Sequence, residues 1–365
     1  MTQPQQQRIL VVGSGFAGMW SALSARRLLS LESANPSSSS IEVAVVAPND
    51  NLVIRPRLYE PGVDKLSVSL GPLFTATGVR FIQGTVDAID TATHAVTVVD
   101  AAGERSSVSY TRLVLAAGSR VVRPNIPGLA EHAFNVDQID EATRLEKHLA
   151  SLAALPASPA RNTVVVCGGG FTGIELATEL TGRLRATLGD QERLGTAVSG
   201  VEAGAVLTAD GERIETLTAI WTAGMVANPL TAQISAEKDG LGRLVVDTNL
   251  RVPSVPDVFA TGDVARAITD DEGHATLMSC QHAMYLGRFS GNNAAADLLG
   301  VAPTPYAQEA TPRVMMSGAQ GKTIKTYINR VLIYPPTADP KDAFNRADPE
   351  WRVPPLTDEL LAGGF

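Results

Sequence analysis

The chain has 365 residues, enough for two or three domains, and its 44% hydrophobic and 19% charged content is ordinary for a globular enzyme. A formal net charge of -8 gives no electrostatic reason to expect nucleic acid, and no apolar run approaches the roughly 18 residues that span a bilayer. Its two cysteines, Cys167 and Cys280, stand far apart and exclude a disulfide framework. With a polar N-terminal stretch in place of a signal peptide, a reducing, cytoplasmic setting is expected.

The first strong signal is Arg8-Ile-Leu-Val-Val-Gly13-Ser14-Gly15-Phe16-Ala17-Gly18, followed by a helix-forming stretch to Arg26. A β-branched run ending in a glycine turn and then a helix is the setting in which Gly-x-Gly-x-x-Gly binds a dinucleotide. Gly13 permits the tight turn, Gly15 lets a pyrophosphate reach the backbone, and Gly18 lets the helix pack on the strand. The helix start offers free N–H groups to phosphates. A Ser-rich loop over 33–40 leads to a second strand, Ile41-Glu-Val-Ala-Val-Val46. Such a strand usually ends in an acid for the adenosine ribose. Here Ala47-Pro-Asn49-Asp50 follows, and Asn49 or Asp50 is the substitute on offer.

The pattern then repeats. Asn162-Thr-Val-Val-Val-Cys-Gly168-Gly-Gly170-Phe-Thr-Gly173 is a second strand-turn-helix start, with Glu175 on its helix. Residues 81–90 and 193–202 match, and each is followed by a turn, a strand and a Gly-Glu-Arg turn at Gly103 or Gly211. Both copies close on an apolar strand, Leu113-Val-Leu-Ala-Ala117-Gly118 and Ala219-Ile-Trp-Thr-Ala-Gly224. The expected fold is therefore α/β, with two Rossmann-like units, each carrying an inserted β-meander. The copies differ in length: 66 positions separate Gly18 from Gly84, but only 22 separate Gly173 from Gly195. The second unit is expected to lack its second strand and helix.

A third block, Val258-Phe-Ala-Thr-Gly262-Asp263, is an apolar strand that aims a carboxylate from a glycine turn. A helix beginning near Cys280-Gln281-His282 then presents its N-terminus, a place that stabilises negative charge.

In this order the motifs resemble the two-dinucleotide-domain flavoproteins of the glutathione-reductase-like fold, and within them the type II NADH dehydrogenases. Ile333-Tyr-Pro-Pro336 adds to the likeness. The resemblance covers nearly the whole chain. It implies an FAD-binding domain from 1–128 and 251–300, an NAD(P)H-binding domain from 129–250, and a C-terminal region from 301–365. It implies FAD as cofactor, NAD(P)H as co-substrate, and a small electron acceptor such as a quinone. In that reading Asp263 bonds the ribityl chain, Gly118 lies beside the flavin, and Val86 meets the adenine through its backbone. Arg55, in Arg55-Pro-Arg57, lies in the loop that shapes the flavin pocket. Glu175 sits near the nicotinamide as the candidate catalytic residue, and Gln281 near the pyrimidine end of the flavin. Peripheral membrane contact and a homodimer are compatible with the family.

Two abrupt junctions, within 186–195 and 310–314, depart from its pattern. They read either as dismantled NADH and acceptor sites or as places where residues are missing from the chain as written, the latter being favoured. A chain of only these residues is expected to be reduced poorly by NADH, since nothing would hold the adenosine end. The competing function is an FAD-binding protein with a decayed NADH site. A dithiol reductase and a sulfide:quinone oxidoreductase both need more cysteines.

Overall fold

The computed structural model describes residues 6–188, 197–270, 272–306 and 335–350. It opens on β1 (Gln7–Val12), α1 (Phe16–Leu31), β2 (Ile41–Ala47), α2 (Gly71–Thr77) and β3 (Arg80–Gln83). A meander of β4 (Thr85–Asp90), β5 (Ala95–Val99) and β6 (Arg105–Ser109) leads to β7 (Arg112–Leu115). After β8 (Ser119–Val121) come β9 (Ala133–Phe134), α3 (Ile139–Ser151), β10 (Val164–Cys167) and α4 (Phe171–Leu188). The second meander is β11 (Val198–Glu202), β12 (Ala205–Thr208) and β13 (Arg213–Glu215), followed by β14 (Thr218–Trp221) and β15 (Met225–Ala227). The chain then returns to the first unit with β16 (Val258–Ala260) and α5 (Cys280–Leu299).

The first sheet runs β16-β7-β1-β2-β3, all parallel, with β1 in the middle. Its near-continuous apolar strands are what a sheet covered on both faces requires. Ile9 and Val11 pack on one side with Trp20, Leu23 and Met284 of the two long helices. Leu10 and Val12 point the other way, into the layer that holds Val86, Val96 and Val98 of the meander. All three layers are therefore fixed by the alternation of one six-residue strand.

The second unit repeats this frame on a smaller scale, as its glycines foretold. Its sheet is β9-β14-β10, again parallel, beside the antiparallel meander β11-β12-β13. Here β10, the counterpart of central β1, stands at the edge. Among the described residues no strand occupies the place that β2 takes beside β1. The consequence is visible in burial: Ile9, Leu10 and Val11 are completely buried, whereas Val164, Val165 and Val166 are half-buried. Phe171 and Ile174 on α4 are likewise 48% and 46% exposed. The chain between α4 and β11, the stretch over 310–314 and the segment after 350 lie outside the described residues. The units are tied by β8 pairing antiparallel with β15, Ser119 opposite Ala227.

The helices α1 and α5 lie against each other more closely than side chains normally allow. A Cβ on Gly291 would sit 1.9 Å from the Ser21 carbonyl oxygen, and one on Gly287 would sit 2.5 Å from that of Ala17. The Ser21 and Ser290 hydroxyls hydrogen-bond at 3.0 Å within the same seam. This contact brings two helix N-termini to one end of the sheet.

Candidate active site

Those two N-termini, the C-terminal ends of β1, β7 and β16, and the start of α4 surround one cleft of about 1030 Å³. Ligands in open parallel sheets are held outside such strand ends. Both glycine turns have the same construction. Gly13 has φ +112° and a Cβ there would lie 2.4 Å from the Ala116 carbonyl oxygen; Gly168 has φ +135° and would strike Thr222. Gly18 and Gly173 each allow their helix to sit on the preceding turn, where a Cβ would be 1.9 Å from the carbonyl oxygen of Gly13 or Gly168. These glycines shape the backbone; of the four only Gly13 also lines the cleft, and Gly262, which turns the chain at φ +66°, does not.

Gly15 behaves differently, since a Cβ there would meet nothing within 4 Å. It leaves an open approach to the start of α1, as does Gly170 at α4. Ser14, Phe16 and Ala17 line the same approach, and Ala117, Gly118 and Gly224 line the cleft from the two closing strands. Val86 faces it from the first meander and Gln281 from the start of α5. Glu175 reaches it from the second unit, one turn into α4. The sequence thus names residues on every wall.

One alternative is corrected. Asp50 is turned away: its carboxylate accepts Ser69 Oγ–H at 2.7 Å and Gly71 N–H at 3.0 Å. Asn49 stays on the cleft wall, with its side-chain oxygen accepting Asn51 N–H at 3.1 Å. Arg55 and Arg57 also part company. Both line the cleft, but Arg57 pairs with Glu60 at 2.6 Å whereas Arg55 pairs with Asp137.

Asp263 is the centre of the polar wall. Its Oδ2 accepts the Ser119 hydroxyl at 2.6 Å and lies 3.6 Å from Arg55 Nη1. Burial pushes its pKa up, and Arg55, then Ser119, oppose that rise. On α5, Ser279 is the N-cap and its hydroxyl accepts His282 N–H; His282 is buried and its pKa falls to about 4 through desolvation. The Cys280 thiol is pushed up to about 12, by burial first and by Asp263 next. It is a protonated thiol at neutral pH. Ser119, Asp137 and Ser279 were not singled out in the sequence. Ser119 follows Gly118 directly and Ser279 precedes a helix start, both readable signals; Asp137 comes from a connecting segment and carries none.

The cleft suits FAD on its own geometry. It offers the starts of two helices to phosphates, an open glycine wall for close approach, and a shielded carboxylate for hydroxyl groups. The family model described as pyridine nucleotide-disulphide oxidoreductase matches residues 7–191 and 183–287. The chain belongs to this family. It is a flavin-dependent NAD(P)H oxidoreductase of the type II NADH dehydrogenase kind, and FAD is its cofactor. An NADH dehydrogenase-like protein of Mycobacterium tuberculosis is 40% identical over 385 aligned positions, covering 90% of this chain and 94% of the relative. Demethylphylloquinone reductase of Synechocystis is 26% identical, with 87% and 86% coverage. Among solved structures, NDH2 of Plasmodium falciparum in complex with NADH superposes with a TM-score of 0.68 at 13% identity, over 94% of this chain and 98% of that one.

Two of these findings bear on the short second unit of the oxidoreductase. The matched segments of the family model meet over 183–191, the passage from α4 towards the second meander. An alignment of 385 positions that takes in 90% of 365 residues must also cross places where the relative has residues and this chain has none. That relative thus has residues within the aligned span that this chain lacks.

Proposed function

We propose that the protein passes hydride from NAD(P)H to FAD and electrons on to a quinone-like acceptor. The observation that supports it is the single cleft shared by both glycine-rich helix starts, Gly15–Ala17 and Gly170–Thr172, with Glu175 on the same wall. The names of the relatives support the acceptor class, since one of them reduces a demethylphylloquinone. FAD supplies the redox chemistry; the protein supplies position and electrostatics.

In this reading Asp263 holds the ribityl hydroxyls and Val86 meets the adenine through its backbone. The start of α1 holds the pyrophosphate, and the start of α5 with Gln281 steadies negative charge at the pyrimidine end. Glu175 faces the nicotinamide. The FAD unit is 1–128 with 251–300, the NAD(P)H unit is 129–250, and the setting is the cytoplasm, with the acceptor drawn from the membrane. Among the described residues no helix is long and apolar enough to cross a membrane.

Anaerobic stopped-flow mixing with NADH tests the reading directly. The flavin absorbance should bleach, and a short-chain quinone should restore it. Flavin that NADH and NADPH both leave oxidised would favour a cofactor-binding protein without this activity. Bleached flavin that quinone fails to reoxidise would overturn only the acceptor.

A further inference from the structure

Asp263 stands in an expensive place for a charge, with its side chain only 14% exposed. Two polar groups, Arg55 and Ser119, converge on it in a fixed order. Arg55 Nη1 donates to Ser119 Oγ at 3.1 Å, and the Ser119 hydroxyl donates to Asp263 Oδ2 at 2.6 Å. Arginine can only donate, and a serine hydroxyl has one hydrogen to give. Since Arg55 can only donate to Ser119 and the ionised carboxylate can only accept, the hydroxyl hydrogen is directed to Asp263. One oxygen of Asp263 is thereby engaged from behind.

Arg55 is itself held in place. Its Nη2 pairs with the Asp137 carboxylate, and its Nε donates to the Asp137 carbonyl at 3.0 Å. Asp137 in turn accepts Val121 N–H and the Gln138 amide, each at 3.1 Å. The guanidinium, which comes from the first unit, is therefore held from the connection between the two units and donates to Ser119.

We propose that Arg55 is a positioning residue for the cofactor: through Ser119 it aims the Asp263 carboxylate into the cleft and keeps it an anion there. The proposal rests on Asp263 contacting FAD, as read above. Other charges around Asp263 do not duplicate this role. Asp137 disfavours a second anion, and Arg243 favours it more weakly than Arg55 while bound to Asp239 at 2.7 Å and to the Thr276 carbonyl at 2.5 Å. Cys280, Glu175 and His282, at the starts of α4 and α5, bring no positive charge at neutral pH. Without Arg55, burial is opposed mainly by one hydroxyl and a committed arginine.

The test is FAD retention against pH, read from the fluorescence of released flavin after gel filtration of the holoprotein. Wild type should hold FAD with little change between about pH 6 and about pH 8, whereas Arg55→Gln should lose affinity progressively as pH falls. Each unit by which the variant's Asp263 titrates above the working pH weakens retention about tenfold. Arg55→Lys should restore most of the flat profile, because it returns the charge. Ser119→Ala, which leaves the Arg55–Asp137 pair in place, should show the same trend in smaller degree and serves if Arg55→Gln does not fold. Asp263→Asn should bind weakly at every pH, and adding Arg55→Gln to it should add no pH dependence. An Arg55→Gln profile merely displaced in parallel from wild type would overturn the proposal. Unchanged binding by Asp263→Asn would instead overturn the assignment of Asp263 to FAD.

Discussion

At the scale of single residues, the start of α5 shows how burial decides protonation. His282 is 4% exposed, and its pKa falls to about 4 because desolvation penalises the imidazolium. In the unfolded chain it titrates near the ordinary value of about 6.5. Between these two values the unfolded state binds more protons, so stability must fall as pH drops through that window. The neutral histidine has no such effect above about pH 7. The maximal loss is on the order of 3 kcal/mol, and His282→Gln should flatten part of it in urea denaturation between about pH 4.5 and about pH 7. An unchanged slope in the variant would mean that other groups carry the whole effect. The neighbouring Cys280 gives a chemical counterpart. With its thiol near 12 and that of Cys167 near 11, iodoacetamide at about pH 8 should label neither in the folded protein. Rapid labelling of Cys280 would show a reactive thiol in the cleft. His282 and Cys280 were visible in the sequence as positions, but their states follow from burial, and for Cys280 also from Asp263 and from Glu175 on α4, which only the folded chain brings near.

At the scale of elements, the glycines divide into two kinds that the sequence alone does not separate. Gly291 is required by the α1–α5 seam, where an added Cβ would meet Ser21 backbone at 1.9 Å. Gly291→Ala should therefore destabilise the protein by about 3 kcal/mol, since the helices must separate or bend. Gly15 has free space on its Cβ side and an ordinary φ of -67°. Gly15→Ala should leave the urea midpoint nearly unchanged and weaken FAD binding by narrowing the approach to the start of α1. Equal effects of the two variants on stability would contradict this division. The strand-turn-helix units were legible because their chemistry is local: a β-branched run, a tight turn and a helix within some twenty residues. The seam was not. Nearly every residue of α5 through Ala296 is buried, so it has no apolar stripe to read. Its buried Asn293 is satisfied by Thr304 and by the Asn249 carbonyl, partners that no local pattern announces.

At the scale of the molecule, the two units share a plan but differ in the edge that would read a nucleotide's adenosine end. In the first unit β2 flanks β1 and the meander supplies Val86 to the cleft. In the second, β10 is the edge strand among the described residues, and the family match is divided at the corresponding place. The repeat made the plan legible, and the shorter spacing after Gly173 marked the difference, because a strand and helix cannot be hidden in 22 positions already committed to α4 and a meander start. A ribose is normally read by an acid at the end of the second strand, while a neighbouring arginine admits the 2′-phosphate. A unit without that strand has neither device at that place. In the proposed reading its glycine turn and the start of α4 would still meet the pyrophosphate and the nicotinamide half, which NADH and NADPH have in common. The protein of this sequence should therefore reduce its flavin with kcat/KM values for NADH and NADPH within about tenfold of each other, a gap of about 1.4 kcal/mol. Saturation should come only at concentrations well above the usual micromolar range, because less of the nucleotide is gripped. Anaerobic stopped-flow reduction with each nucleotide over a wide concentration range measures both quantities. A preference on the order of a hundredfold, or saturation by micromolar NADH, would mean that residues elsewhere in the chain read the adenosine end.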